Sequence, residues 1–172
     1  VARVKGQQSK FGGDTVTELL SGAKLLLHVA EAWGLAKADT FGKSDPMCII
    51  YWDGKEVGRT KAIDDTMEPV WDEEKFELVY GDVGSTPTLD VECYDMDMTG
   101  PGDFLGMVSL EGKELLAPPQ KEDLKNGMEL PAKTTWKGGV FELQKKPGKG
   151  ARFNRMVQGK IVLTFDPSDA LA

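Results

Sequence analysis

The 172-residue chain is poor in the side chains that most often carry chemistry, with one histidine and two cysteines. A zinc or redox-metal centre needs several His or Cys ligands, so neither is expected. His28 lies on a strand-like stretch, opposite in phase to Leu27 and Val29, and is expected at the surface. Cys48 and Cys93 are in phase with apolar neighbours, the first with Ile50 and Trp52 and the second with Leu89 and Val91. They read as buried free thiols in a reducing compartment, in preference to a disulfide or a thiol-bound metal. No apolar run approaches the roughly 18–20 residues of a membrane span. Residues 1–10 are polar, so no signal peptide is expected, and the chain opens on Val1, as a fragment or a processed product would. Gly-x-Ser-x-Gly, Walker and Cys/His arrangements are all missing, and no enzyme is expected.

What the chain does have is enough apolar content, 40%, for the core of one ordinary domain. Its net charge of −7 is unevenly spread. Lys133, Lys137, Lys145, Lys146, Lys149, Arg152, Arg155 and Lys160 face one acid, Glu142, so the rest of the chain is more acidic than the total suggests. An acidic body with one basic segment does not suit nucleic-acid binding, which wants a basic face throughout. It does suit an anionic surface as partner.

Short alternating stretches separated by turn signals follow one another from Lys24 onward. They predict strands at 25–32, 47–52, 56–63, 70–80, 88–94, 104–110 and 159–165, with a seventh in chain order at either 128–130 or 140–143. Asp53-Gly54 is a hairpin-turn pair. No long helix is indicated, although Thr15-Val-Thr-Glu18 has the form of a capping box. The fold class is therefore all-β, an eight-stranded antiparallel Greek-key β-sandwich. Residues 1–22 are expected to be a flexible flank, 23–167 the domain, 133–158 a basic insertion before the last strand, and 168–172 a tail. Trp52 and Trp71 are expected in the core, with Trp33 and Trp136 near loops.

If the strands run alternately up and down, the first, third, fifth and seventh connections share one end of the sandwich. The first carries Asp39 and Asp45, and the fifth carries Asp95, Asp97 and Asp103. The third, Asp64-Asp65-Thr66-Met67-Glu68, is acidic too, and the seventh is the basic segment. Five carboxylates converging on one rim repel one another unless a cation is present. Aspartate oxygens suit calcium, a hard cation taking six to eight oxygen ligands. An EF-hand is excluded: Asp95-x-Asp97-x-Thr99-Gly100 copies its opening, but the twelfth position is Gly106 and the flanks read as strands.

Three stretches together resemble the C2 domain family. They are Leu35 through Gly42-Lys43-Ser44-Asp45-Pro46, then Glu68-Pro69-Val70-Trp71-Asp72-Glu73, then Tyr94-Asp95-Met96-Asp97 with Asp103-Phe104-Leu105-Gly106. The resemblance implies Asp39, Asp45, Asp95, Asp97 and Asp103 as calcium ligands at apical loops that dock on phospholipid headgroups. It also implies the type II strand order, because the first strand leads directly into the first Asp loop. Glu68 stands where the family often has Asn, and Gly100 where it often has Ser, so an outermost ion is expected to bind weakly or not at all.

The expected function is a calcium-dependent module that binds anionic phospholipid membranes and targets a larger parent protein to them. Its setting would be cytoplasmic, with peripheral membrane association on calcium binding. Phe41 and Met98 are candidates to enter the headgroup region, and Lys145, Lys146, Lys149 and Arg152 to contact lipid phosphates. Arg59 and Lys61 suggest phosphoinositide as one lipid partner, and other domains of the parent are further partners. The competing expectation is a protein-interaction module in which calcium is absent or structural.

Overall fold

The computed structural model describes residues 24–37, 42–72, 74–81, 87–112, 115 and 138–167. The expected flank at 1–22, the tail at 168–172, Trp136 and the strand alternative at 128–130 lie outside the described residues. Among the described residues eight strands occur in chain order: β1 (Lys24–Trp33), β2 (Pro46–Trp52), β3 (Lys55–Arg59), β4 (Lys75–Val79), β5 (Thr88–Asp97), β6 (Gly100–Glu111), β7 (Gly139–Glu142) and β8 (Lys160–Pro167). They form two four-stranded antiparallel sheets, ordered β4-β1-β8-β7 and β3-β2-β5-β6. The last strand returns beside the first, with Trp33 opposite Lys160, as the type II order requires.

Period-two patterning explains the core. Leu25, Leu27 and Val29 of β1 and, beside them in the same sheet, Ile161, Leu163 and Phe165 of β8 share one core with Cys48, Ile50 and Trp52 of β2 and Leu89, Val91 and Cys93 of β5 from the other sheet. Trp71 joins this cluster, so Trp52 and Trp71 are core residues as expected. Asp53 and Gly54 take φ of 51° and 80°, the left-handed pair that a tight hairpin between β2 and β3 requires.

Two strands are shorter than their patterns suggest. The third stops at Arg59 because the Thr60 hydroxyl, rather than a backbone carbonyl, accepts the Cys48 N–H at 2.8 Å. The fourth stops short of residue 70. Val70 makes a single bridge to Glu31, then Asp72 turns left-handed at φ 27° and Glu74 N–H closes back on the Trp71 carbonyl. The fifth and sixth strands instead run longer, pairing as far as Asp97 opposite Gly100 with register shifts around Tyr94.

The described part of the basic segment is built into the fold. Gln144 exchanges both backbone bonds with Met107 of β6, at 3.0 and 2.7 Å. The Lys146 ammonium sits 2.8 Å from Glu92, a buried carboxylate that also accepts the Tyr94 hydroxyl at 2.6 Å. Phe153 stacks on Phe104 with centroids 4.9 Å apart, and Phe104 meets Tyr94 edge-on. Through Lys146 and Phe153 the segment thus packs against β5 and β6 on the side of Glu92, Tyr94 and Phe104. Buried Asn154 holds the segment in shape, accepting the Lys146 N–H and donating to the carbonyls of Lys149 and Gly150.

Candidate calcium-binding rim

Asp45 immediately precedes β2, and its position follows from the sheet register, which sets Pro46 opposite Asp95. The Asp45 N–H donates to Asp95 Oδ1 at 2.7 Å, and the Met96 N–H donates to the Asp45 carbonyl at 2.9 Å. Asp95 is only 3% exposed, at the rim end of the inward-facing residues of β5. The Asp45 carboxylate in turn accepts the Asp65 N–H at 2.7 Å, and Asp65 accepts the Lys43 N–H at 2.6 Å. Two hydrogen bonds deeper in the fold fix this corner: Thr66 N–H to the Ser44 carbonyl, and the buried Ser44 hydroxyl to the Ala36 carbonyl. The Trp71 indole braces the Asp65 loop from below by donating to the Lys61 carbonyl at 2.9 Å.

Asp97 ends β5 and folds back on its own turn. Its Oδ1 accepts the Thr99 N–H at 2.8 Å and the Thr99 hydroxyl at 2.7 Å. These bonds, the side-chain one foremost, hold the Asp97 carboxyl below its ordinary range, so it stays charged in an exposed position. Gly102 makes room for the group: a methyl there would lie 2.7 Å from Asp97 Oδ2 and 3.0 Å from the Asp95 carbonyl. Asp103, on β6, accepts Nη2 of Arg155 at 3.0 Å. Met98, at the hairpin tip, is fully exposed.

The structure therefore brings Asp45, Asp95 and Asp97 to one rim, with Asp65 added. The rim also receives the seventh connection, through the Arg155–Asp103 contact and through Gln158, which donates to the Gly34 carbonyl at 2.9 Å. Asp39 and Phe41 lie outside the described residues. Among the described residues, no three carboxylate, His or Cys groups form a ready-made metal cup. The donor chemistry nevertheless fits calcium: carboxylate and carbonyl oxygens line the rim, the cysteines are in the core, and His28 is half-buried against the Asp72 carbonyl. Of the basic candidates, Lys145, Lys149 and Arg152 are exposed, while Lys146 is engaged with Glu92. Lys149 lies over the Phe153 ring, 5.3 Å from its centroid. Sequence reasoning placed Asp65 only in an acidic loop and did not select Arg155. Strand parity was the signal for both, since it sets the third and seventh connections beside the Asp loops.

A C2 domain family model matches residues 23–127, more than half of the chain. Human RasGAP-activating-like protein 1 is 40% identical over 102 residues, which are 58% of this chain and 12% of that protein. The calcium-dependent lipid-binding protein of Arabidopsis thaliana is 39% identical over 105 residues, 61% of this chain and 20% of that protein. The chain thus spans only a small part of the length of these curated relatives. Among solved structures, the C2A domain of plant extended synaptotagmin 1 superposes with a TM-score of 0.61 at 22% identity, covering 86% of this chain and 97% of that one. The calcium-bound C2A and C2B domains of extended synaptotagmin 2 give 0.60 at 24% identity, covering 86% of this chain and 46% of that one. These two likenesses are of fold. With the family model across most of the sandwich and the strand order in agreement, the chain belongs to the C2 domain family.

Proposed function

We propose that this domain binds anionic phospholipid membranes in response to calcium and so brings its parent protein to the membrane surface. The observation that carries the reading is the bond from the Asp45 N–H to Asp95, which joins two acidic stretches fifty residues apart at one rim. Its C2 membership and its 39% identity to a calcium-dependent lipid-binding protein support it.

In this reading Asp45, Asp95, Asp97 and Asp103, with Asp39, hold the ion. Bound calcium supplies positive charge and coordination positions for lipid phosphate oxygens. Before binding, the clustered carboxylates repel an anionic surface. Met98, exposed at the tip of its hairpin, is the apolar residue to enter the headgroup region, and Phe41 is its proposed counterpart on the first loop. Lys145, Lys149 and Arg152 each add about 1 kcal/mol near an anionic surface. Lys146 contributes less, because its ammonium neutralises Glu92. Phosphoinositide is the finer proposal for the lipid, although Arg59 is already held by Glu56 at 2.9 Å. Peripheral association in the cytoplasm follows, and among the described residues no helix is long and apolar enough to cross a membrane.

Sedimentation with phosphatidylserine vesicles tests the proposal. Pelleting with calcium that is lost in chelator, and lost in the double variant Asp95→Asn/Asp97→Asn, is the expected result. Pelleting indifferent to chelator, or none at all, would favour a protein-interaction module.

A further inference from the structure

We infer that Arg155 is a built-in counter-charge for Asp103, placed to set how tightly the rim takes calcium. The inference rests on the calcium reading above and deepens it. Arg155 comes from the segment between β7 and β8, 52 residues from Asp103, and its Nη2 lies 3.0 Å from Asp103 Oδ1. Its Nη1 donates to the Arg152 carbonyl at 3.2 Å, which aims the guanidinium.

The residues beside each partner are anchored. Asn154 is buried and binds the surrounding backbone at Lys146, Lys149 and Gly150. Phe153 stacks on Phe104, the residue that follows Asp103. The Phe153–Phe104 stack therefore fixes the chain beside both ends of the ion pair, Asn154 fixes the turn that carries Arg155, and the guanidinium is held at the rim. A cation that recruits Asp103 has to share its carboxylate with Arg155 or displace it.

The side chains are 54% and 37% exposed, so the pair is a modulator of affinity and not a block. Exposed ion pairs are worth up to about 1 kcal/mol, which converts to an effect of roughly two- to five-fold on calcium affinity. Arg155→Gln removes the competing charge and leaves the anchoring residues in place. Lys160→Gln removes a charge at the same end of the sandwich, at the start of β8, without touching the pair.

Calorimetric titration with calcium chloride, without lipid, on the 172-residue chain and these two variants is the test. The expected result is two- to five-fold tighter binding in Arg155→Gln and unchanged binding in Lys160→Gln. In the unsubstituted chain the Arg155 side-chain N–H resonance should move with the same midpoint as the heat. Calcium binding by Arg155→Gln alone would support the inference in its strongest form. Equal or weaker binding in Arg155→Gln, an equal gain in Lys160→Gln, or a stationary Arg155 resonance overturns it while the calcium reading stands. Absence of binding in both the unsubstituted chain and Arg155→Gln overturns the calcium reading, and this inference with it.

Discussion

Asp95 Oδ1 and the Asp45 N–H lie 2.7 Å apart where β2 begins and β5 reaches the rim. Asp95 is almost wholly buried, so this bond has a structural share as well as its proposed place in ion binding. Backbone bonds to buried charged acceptors contribute about 1.5–3 kcal/mol.

Asp95→Ala is therefore expected to lower unfolding free energy by about 1.5–3 kcal/mol, because the Asp45 N–H loses its acceptor. Asp95→Asn keeps an oxygen acceptor and should cost about 1 kcal/mol or less, while still abolishing calcium-dependent vesicle pelleting. Urea denaturation in chelator separates the two roles. Equal losses in both variants would show that the hydrogen bond is not the stabilising element.

Gly106 takes φ of 132°, and a methyl there would lie 2.6 Å from the Cβ of buried Leu143. Gly106→Ala should cost about 1–3 kcal/mol through overpacking and backbone strain. Adding Leu143→Gly, which removes the Cβ that the new methyl meets, should cost less than the two single losses together. Thermal unfolding of the single and double variants checks this.

Phe153 couples the basic segment to β6 through its stack on Phe104. It is half-buried, so Phe153→Ala should cost about 1–2 kcal/mol, less than a fully buried phenylalanine. Amide hydrogen exchange should accelerate across residues 144–157 and stay unchanged in β1, β2 and β5. Uniform acceleration would mean that the segment is part of the global folding unit.

Cys48 and Cys93 are directly opposed across β2 and β5, with sulfurs 3.0 Å apart, and both are fully buried. Burial first, then the neighbouring thiol, pushes the Cys48 thiol well above its ordinary value of 9.0. Burial likewise raises the Tyr80 phenol above 10.0. Unfolding lets these groups release protons at their ordinary values, so the stability they add below pH 9.0 is lost as pH rises beyond 9.0 and 10.0. Alkaline denaturation should follow that order. In the native protein at neutral pH a thiol-reactive dye should label neither cysteine, and in denaturant it should label both.

The sequence by itself determined the sandwich, the course of most strands, the buried cysteines and tryptophans, and the end of the molecule at which the acidic connections gather. Alternation and turn chemistry are local, and a strand cannot slip by one residue without turning its apolar face to water. Tertiary structure decided what patterning could not express. The left-handed turn at Asp72 and the Thr60 hydroxyl bond shortened two strands whose apolar pattern runs on. The lysine-rich connection read from its residues as a basic insertion before the last strand, yet Lys146 and Phe153 tie it to a sheet face that also buries a glutamate. Asp65 and Arg155 came to the rim in the same way, through contacts with Asp45 and Asp103 that only the folded chain makes. A charged side chain takes its role from the partner it meets across the fold, and that partner is not written in its own neighbourhood.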